Sequence, residues 1–297
     1  MMSNTTSTDF SPCPVELTDA QIEQYRRDGY LAFTDILSPE EVAGAKDELA
    51  RLIEELRHNH TTSSNGYGVL WSSTTGKFKV QFERGQEPAS DDDPDAELKA
   101  RKLHDFVESS DLLHHIAFSH RRVRGVLESL LGADPILFQD MALIKPAFFG
   151  SEKPWHQDDA YFAVSPLDAV CGVWIALDDA TVENGCMHVL PGWHHKGAFK
   201  HHIAASEFHA TDCTIIADRL IYEDVVPVPL PAGGGMFFSG LLPHQTPFNT
   251  SPDRRRAIQI HYRSATSRII DFETYNRLFA ERDGTPASCR AAHQRGI

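Results

Sequence analysis

The chain has 297 residues, 41% of them hydrophobic and 24% charged, which is enough for one large domain or two small ones of ordinary soluble composition. Its net charge of −14 argues against nucleic acid as a main partner, and no run of about 18 apolar residues offers a membrane span. The start, Met1-Met2-Ser3-Asn4-Thr5-Thr6, lacks the basic and apolar regions of a secretory signal, and the five scattered cysteines form no CxxC pair, so reduced thiols in a cytoplasmic protein are expected.

Residues 1–15 are polar and carry two prolines, which predicts a mobile tail ahead of a single domain over 16–297. Thr18 and Gln21 make a capping box that opens a helix from Asp19 to about Asp28, and Gly29 ends it. Tyr30 to Phe33 reads as a strand. Ser38, Pro39 and Glu41 open a second helix whose apolar stripe is Val42, Ala45, Leu49, Leu52, Ile53 and Leu56. Residues 59–100 read as a long polar loop, a lid or a solvated insert, interrupted by a strand at Phe78 to Phe82. From Leu98 to Leu131 the pattern is helical, and Arg121, Arg122 and Arg124 are read as a solvated helix face.

Short apolar or alternating runs follow at Ile136 to Lys145, Ala169 to Leu177, Cys186 to Leu190, Gly235 to Phe238 and Ala257 to Tyr262. Turns such as Asn184-Gly185 and Pro191-Gly192 separate them. A helical segment around Asp271 to Arg282 closes the chain. Helices first and antiparallel strands after predict a mainly β fold with flanking helices: a double-stranded β-helix, or cupin-like jelly roll, with its core over about 136–265.

The residues with most chemical content are Trp155-His156-Gln157-Asp158 and the distant His244. On an extended segment His156 and Asp158 would share one face, with Gln157 on the other. Two imidazoles and one carboxylate can fill one face of an octahedral metal and leave three positions open, the pattern of non-haem Fe(II) oxygenases. The same set suits zinc, although no HExxH helix is present. In the run Arg254-Arg255-Arg256, alternation sends one guanidinium to the face opposite its neighbours, where it can fork onto a carboxylate. The adjacent pairs His194-His195 and His201-His202 are poor candidates for sharing one ion, and His188 and His261 are further imidazoles to place.

Several ordered stretches, over about residues 15–265, resemble the phytanoyl-CoA dioxygenase family of Fe(II)- and 2-oxoglutarate-dependent oxygenases. They are Lys102-Leu103-His104-Asp105-Phe106, Lys145-Pro146, Trp155 to Asp158, Trp174 to Ala180, Glu183 to Cys186, Leu190-Pro191-Gly192, and His244 through Asn249 to Ala257. The resemblance implies that His156, Asp158 and His244 ligate iron and that Arg255 pairs with the far carboxylate of 2-oxoglutarate. Thr246 stands where the family usually has serine. Lys102, Met141, Gln157 and Trp174 match residues lining the cosubstrate site, and Gln139 a polar pocket residue. Trp193 departs from the family's usual serine after Pro-Gly. Asp158 favours hydroxylation, or another C–H oxidation such as desaturation or ring formation, because related halogenases lack this carboxylate. Asp159, Tyr161 and Phe162 are candidates to meet substrate.

The function expected is therefore oxidation of an unactivated C–H bond in a small organic molecule by O2 and 2-oxoglutarate, with no obligatory protein partner. A non-catalytic metal- or ligand-binding jelly roll and a zinc-dependent hydrolase are the alternatives.

Overall fold

The computed structural model describes residues 10–65, 68–204, 212–215, 220 and 222–280. Helix α1 (Asp19–Asp28) has the full capping box: the Thr18 hydroxyl accepts from the Gln21 amide, and the Gln21 side chain accepts from the Thr18 amide. Gly29 ends it in the left-handed region, at φ 83°. Strand β1 (Tyr30–Phe33) leads to α2 (Pro39–His58), which is boxed by Ser38 and Glu41. The buried residues of α2 are the six of the predicted stripe. Burying each of its leucines is worth roughly 1.5–3 kcal/mol.

Then come β2 (His60–Asn65), β3 (Gly68–Ser73), β4 (Lys79–Phe82), the short α3 (Ala96–Lys99) and β5 (Ala100–His104). Helices α4 (Asp111–Phe118) and α5 (Arg121–Leu131) precede β6 (Ile136–Lys145), β7 (Lys153–His156), the one-turn α6 (Asp159–Phe162), β8 (Val164–Ser165) and β9 (Val170–Ala176). The remainder comprises β10 (Met187–Val189), β11 (His201–Ala204), β12 (Asp212–Ile215), β13 (Val226–Val228), β14 (Gly235–Ser239), β15 (His244–Thr246), β16 (Arg255–Arg263), β17 (Arg268–Ile269) and α7 (Phe272–Phe279).

Nine strands form a major antiparallel sheet in the order β1-β14-β9-β16-β6-β5-β4-β3-β2. Four form a minor sheet, β13-β10-β15-β7. Side chains alternate through the major sheet. On one face Val173, Ile175, Ile258 and Ile260 join the stripe of α2 and the apolar sides of α4 and α5 in a single core. On the other face Trp174, Ala176, Phe238 and Ala257 meet Met187, Val189 and Val228 of the minor sheet. Two sheets sharing that second core make the expected jelly roll. Among the described residues no helix is long and apolar enough to cross a membrane.

The structure corrects four local expectations. Residues 10–15 are tied down: Ser11 bridges Phe33, and the buried Cys13 donates its amide to Asp35. Residues 59–100 are not a polar loop broken only by the expected strand, now β4, because β2 and β3 also extend the major sheet. The Ser/Thr run of β2 carries no apolar signal because it is an exposed edge strand, held by backbone pairing with β3. Ala100–His104, read as helical, is a strand between β4 and β6, so Lys102 projects from a sheet. Cys13, Cys171 and Cys186 are buried free thiols, but Cys213 is disulfide-bonded, against the expectation of five reduced cysteines. The closing helix is α7, capped by Asp271; the predicted extension to Arg282 lies outside the described residues. Two of the three arginines of α5 are ion-paired, Arg122 with Asp35 and Arg124 with Glu128 and Asp134.

Candidate metal centre

The antiparallel pairing of β7 with β15 sets His156 directly opposite His244. Their ring centroids are 4.2 Å apart. Each ring is tied to the carbonyl two residues upstream: His156 Nδ1 lies 2.7 Å from Pro154 O, and His244 Nδ1 lies 2.9 Å from Leu242 O. A carbonyl only accepts, so both Nδ1 atoms carry protons, and both Nε2 atoms are turned toward the Asp158 carboxylate, as ligands of one ion would be.

Asp158 is not on the strand. It caps α6 with helical backbone angles, φ −65° and ψ −32°. The strand ends at His156, and the turn that follows carries the carboxylate to the two imidazoles. Asp158 Oδ1 is 3.2 Å from His156 Nε2 and 3.7 Å from His244 Nε2. One ligand atom from each of the three lies within 4.8 Å of the others, and all three residues are buried. Among the described residues this is the one such cluster of three.

The charge states suit metal binding. Burial alone would push Asp158 up, but the facing imidazoles of His261, His244 and His156 hold it well below the usual carboxylate range. Burial lowers His244 to about 3, with the nearby His156 acting in the same direction, so its imidazole is neutral at pH 7. The site offers one fixed negative charge and, at His244, a neutral nitrogen.

A cavity of about 320 Å³ opens over these three side chains. Lys102, Met141, Thr246 and Arg255 line it, as does Gln139. Alternation in β16 resolves the arginine run as expected. Arg254 pairs outward with Glu97 and Arg256 with Asp178, while Arg255 turns inward and is 1% exposed. Arg255 donates to Leu143 O at 3.2 Å, and its guanidinium carbon lies 5.4 Å from the Trp174 ring centre. Burial lowers it to about 10, which leaves it charged at neutral pH. Arg255 Nε and Trp174 Nε1 are buried donors without a partner. A guanidinium left this way fits an anionic guest.

Two predicted lining residues are placed elsewhere. Gln157, in the turn after β7, does not line the cavity. Its amide donates to Gly197 O and Leu241 O, and its oxygen accepts from Phe199 N. That side chain braces the loops behind the metal strand. Trp174 stands behind Arg255, in the apolar core between the sheets, and does not line the cavity. Of the substrate candidates, Tyr161 and Phe162 line the cavity. Asp159 does not: its buried carboxylate faces Gly240, and burial, with Asp158 and Asp168, raises it well above the usual range. Of the histidine pairs, His194 bonds Arg26 O and His201 accepts from the Gln157 amide.

Sequence reasoning missed three residues beside the cavity. Lys145 is buried within its wall and donates to Ser151 O and Thr246 O. His261 and Gln259 reach the far oxygen of Asp158 from β16. Their signal was present in the period-two pattern, since 255, 257, 259 and 261 share a face and three of the four are polar.

Comparisons with known proteins agree with this geometry. A family model described as Phytanoyl-CoA dioxygenase matches residues 25–257. A zebrafish (Danio rerio) protein, phytanoyl-CoA dioxygenase domain-containing protein 1, is 26% identical over 87% of this chain and 94% of its own length. Among solved structures, EvdO2 from Micromonospora carbonacea var. aurantiaca, in complex with 2-oxoglutarate, superimposes with a TM-score of 0.60 at 22% identity, covering 86% of this chain and 93% of its own. The epimerase SnoN, in complex with Fe3+, alpha ketoglutarate and nogalamycin RO, gives a TM-score of 0.59 at 24% identity, over 86% and 88% of the two chains.

Proposed function

The chain belongs to the phytanoyl-CoA dioxygenase family, and from that premise we propose that it is an Fe(II)- and 2-oxoglutarate-dependent oxygenase that hydroxylates an unactivated C–H bond of a small organic substrate. The observation that carries this reading is the pairing of two features in one cavity. Two Nε2 atoms and one carboxylate oxygen converge on its floor, and a buried guanidinium with an unspent donor stands in its wall.

His156, Asp158 and His244 would hold the iron. Arg255 would fork onto the distal carboxylate of 2-oxoglutarate, with the Thr246 hydroxyl beside it and Lys102 and Met141 along the same wall. Iron and 2-oxoglutarate, when bound, supply oxidation of a C–H bond by O2, with release of succinate and CO2. The chain's own contribution is position and exclusion of water. The ligands are buried, their tautomers are fixed by backbone carbonyls, and the aromatic walls at Tyr161 and Phe162 hold substrate beside them. Asp158 occupies the place a halide would need, which favours hydroxylation over halogenation.

A zinc hydrolase could use the same three ligands, and a metal-binding scaffold has no use for a buried arginine in the same cavity. Arg255 favours the dicarboxylate-dependent oxygenase over both. Anaerobic titration of the protein with Fe(II) and 2-oxoglutarate tests this. A weak visible charge-transfer band, lost in His244→Ala and weakened in Arg255→Ala, is expected. Iron-loaded protein that gives no band would refute the reading.

A further inference from the structure

The two oxygens of Asp158 have different neighbours. Oδ1 faces the imidazoles of His156 and His244. Oδ2 faces the opposite sheet, where His261 Nε2 approaches to 2.7 Å and the Gln259 amide nitrogen to 3.3 Å. An ionised carboxylate only accepts, so His261 donates through Nε2. Its other nitrogen, Nδ1, is buried with no partner and lies among the rings of Phe138, Phe162 and Phe238. With Nε2 donating to Asp158, the Gln259 amide nitrogen 3.1 Å away, itself a donor, makes no bond to the ring, and among the described residues the one partner of His261 is Asp158. The ring is 0% exposed. Burying a polar ring in an aromatic cage is costly unless the bond it makes is worth keeping.

We propose that His261 is a positioning residue for the metal site: by holding Oδ2, it presents Asp158 to the ion through Oδ1 alone. The inference rests on the oxygenase reading above. A carboxylate free to swing can bind through both oxygens and occupy a further coordination position. Held by one oxygen, it leaves the open face that cosubstrate and O2 require. His261 acts through Asp158 and is not itself a ligand, because its Nε2 proton is committed to the oxygen that faces away from the two histidines. Gln259 is the weaker partner, at the longer distance.

The test compares His261→Leu, which removes the donor, with His261→Gln, which keeps a donor near the position of Nε2. Should the leucine variant not fold, His261→Phe, which matches the aromatic cage, replaces it. Each is titrated anaerobically with Co(II) and with Fe(II), and the Co(II) ligand-field spectrum is recorded with and without 2-oxoglutarate. We expect the leucine or phenylalanine variant to bind metal about 10–100-fold more weakly. Its Co(II) spectrum should be altered, and the glutamine variant should recover most of both. A folded variant without the donor that binds Co(II) as tightly as wild type, with an unchanged spectrum, would overturn the proposal. Failure of the wild-type protein to bind either metal would remove the oxygenase reading itself, and this inference with it.

Discussion

His156 and His244 are cross-strand partners at the junction of β7 and β15, and each is oriented by a carbonyl of its own strand or approach, that of Pro154 or Leu242. The metal-facing nitrogens are therefore set by backbone geometry, which substitution elsewhere cannot easily disturb. The carboxylate, by contrast, depends on side chains from the other sheet.

His244→Ala should leave the fold intact and weaken Fe(II) binding by about 100-fold or more, a larger loss than outer partners of metal ligands cause. Anaerobic competition with a chelating dye measures it, and an unchanged affinity would exclude His244 as a ligand.

Arg255→Lys keeps the charge and loses the fork. Two charge-assisted hydrogen bonds become one at most, which corresponds to roughly 1.5–3 kcal/mol, or about 10–100-fold in the KM for 2-oxoglutarate. Fe(II) affinity without cosubstrate should not move. Succinate release against 2-oxoglutarate concentration reads the first quantity, and metal titration the second.

Leu52 is fully buried on α2, and Ser38 caps that helix. Leu52→Ala should cost about 2–5 kcal/mol and Ser38→Ala about 1 kcal/mol in urea unfolding. The order of the two matters, because the helix is held more by its packed face than by its cap.

Burial raises Asp140 to about 6, although the Phe106 and Val107 amides donate to it. The folded carboxyl is thus protonated at a higher pH than the unfolded one, whose ordinary value is about 3.9. Its favourable contribution is complete below about pH 4 and is lost as pH rises through 6. Asp140→Asn does not titrate, so the variant should gain on wild type by on the order of 2–3 kcal/mol between pH 4 and pH 7. Paired urea midpoints at the two pH values measure the difference, and a gap that does not change with pH would contradict the assignment.

The residues legible in the sequence were those with local causes. Both capping boxes and the stripe of α2 follow from spacing alone, and the structure reproduces them; alternation set one arginine of the run apart from its neighbours, and the family resemblance marked Arg255 as the inward one. β2 escaped notice because it is an edge strand whose Thr and Ser side chains are exposed, and β3 because its apolar stretch, Val69 to Trp71, is only three residues long. Lys102 was placed on a helix because helical and extended patterns are alike over a few residues. Gln157 and Trp174 were assigned to the cavity by resemblance, whereas the turn after β7 and core packing give them other partners. His261 went unassigned because alternation sets it on the face of Arg255 but does not name its partner, Asp158, 103 residues away.

Asp158 leaves the end of a minor-sheet strand, yet its outer oxygen is gripped by β16 of the major sheet. An ion bound at Oδ1 and at the two minor-sheet histidines therefore acts as a rivet through both leaves of the barrel. Metal loading and closure of this end of the molecule become one equilibrium. Hydrogen exchange along β7, β15 and the far half of β16 should slow together when the ion enters, as hinged pages do when pinned.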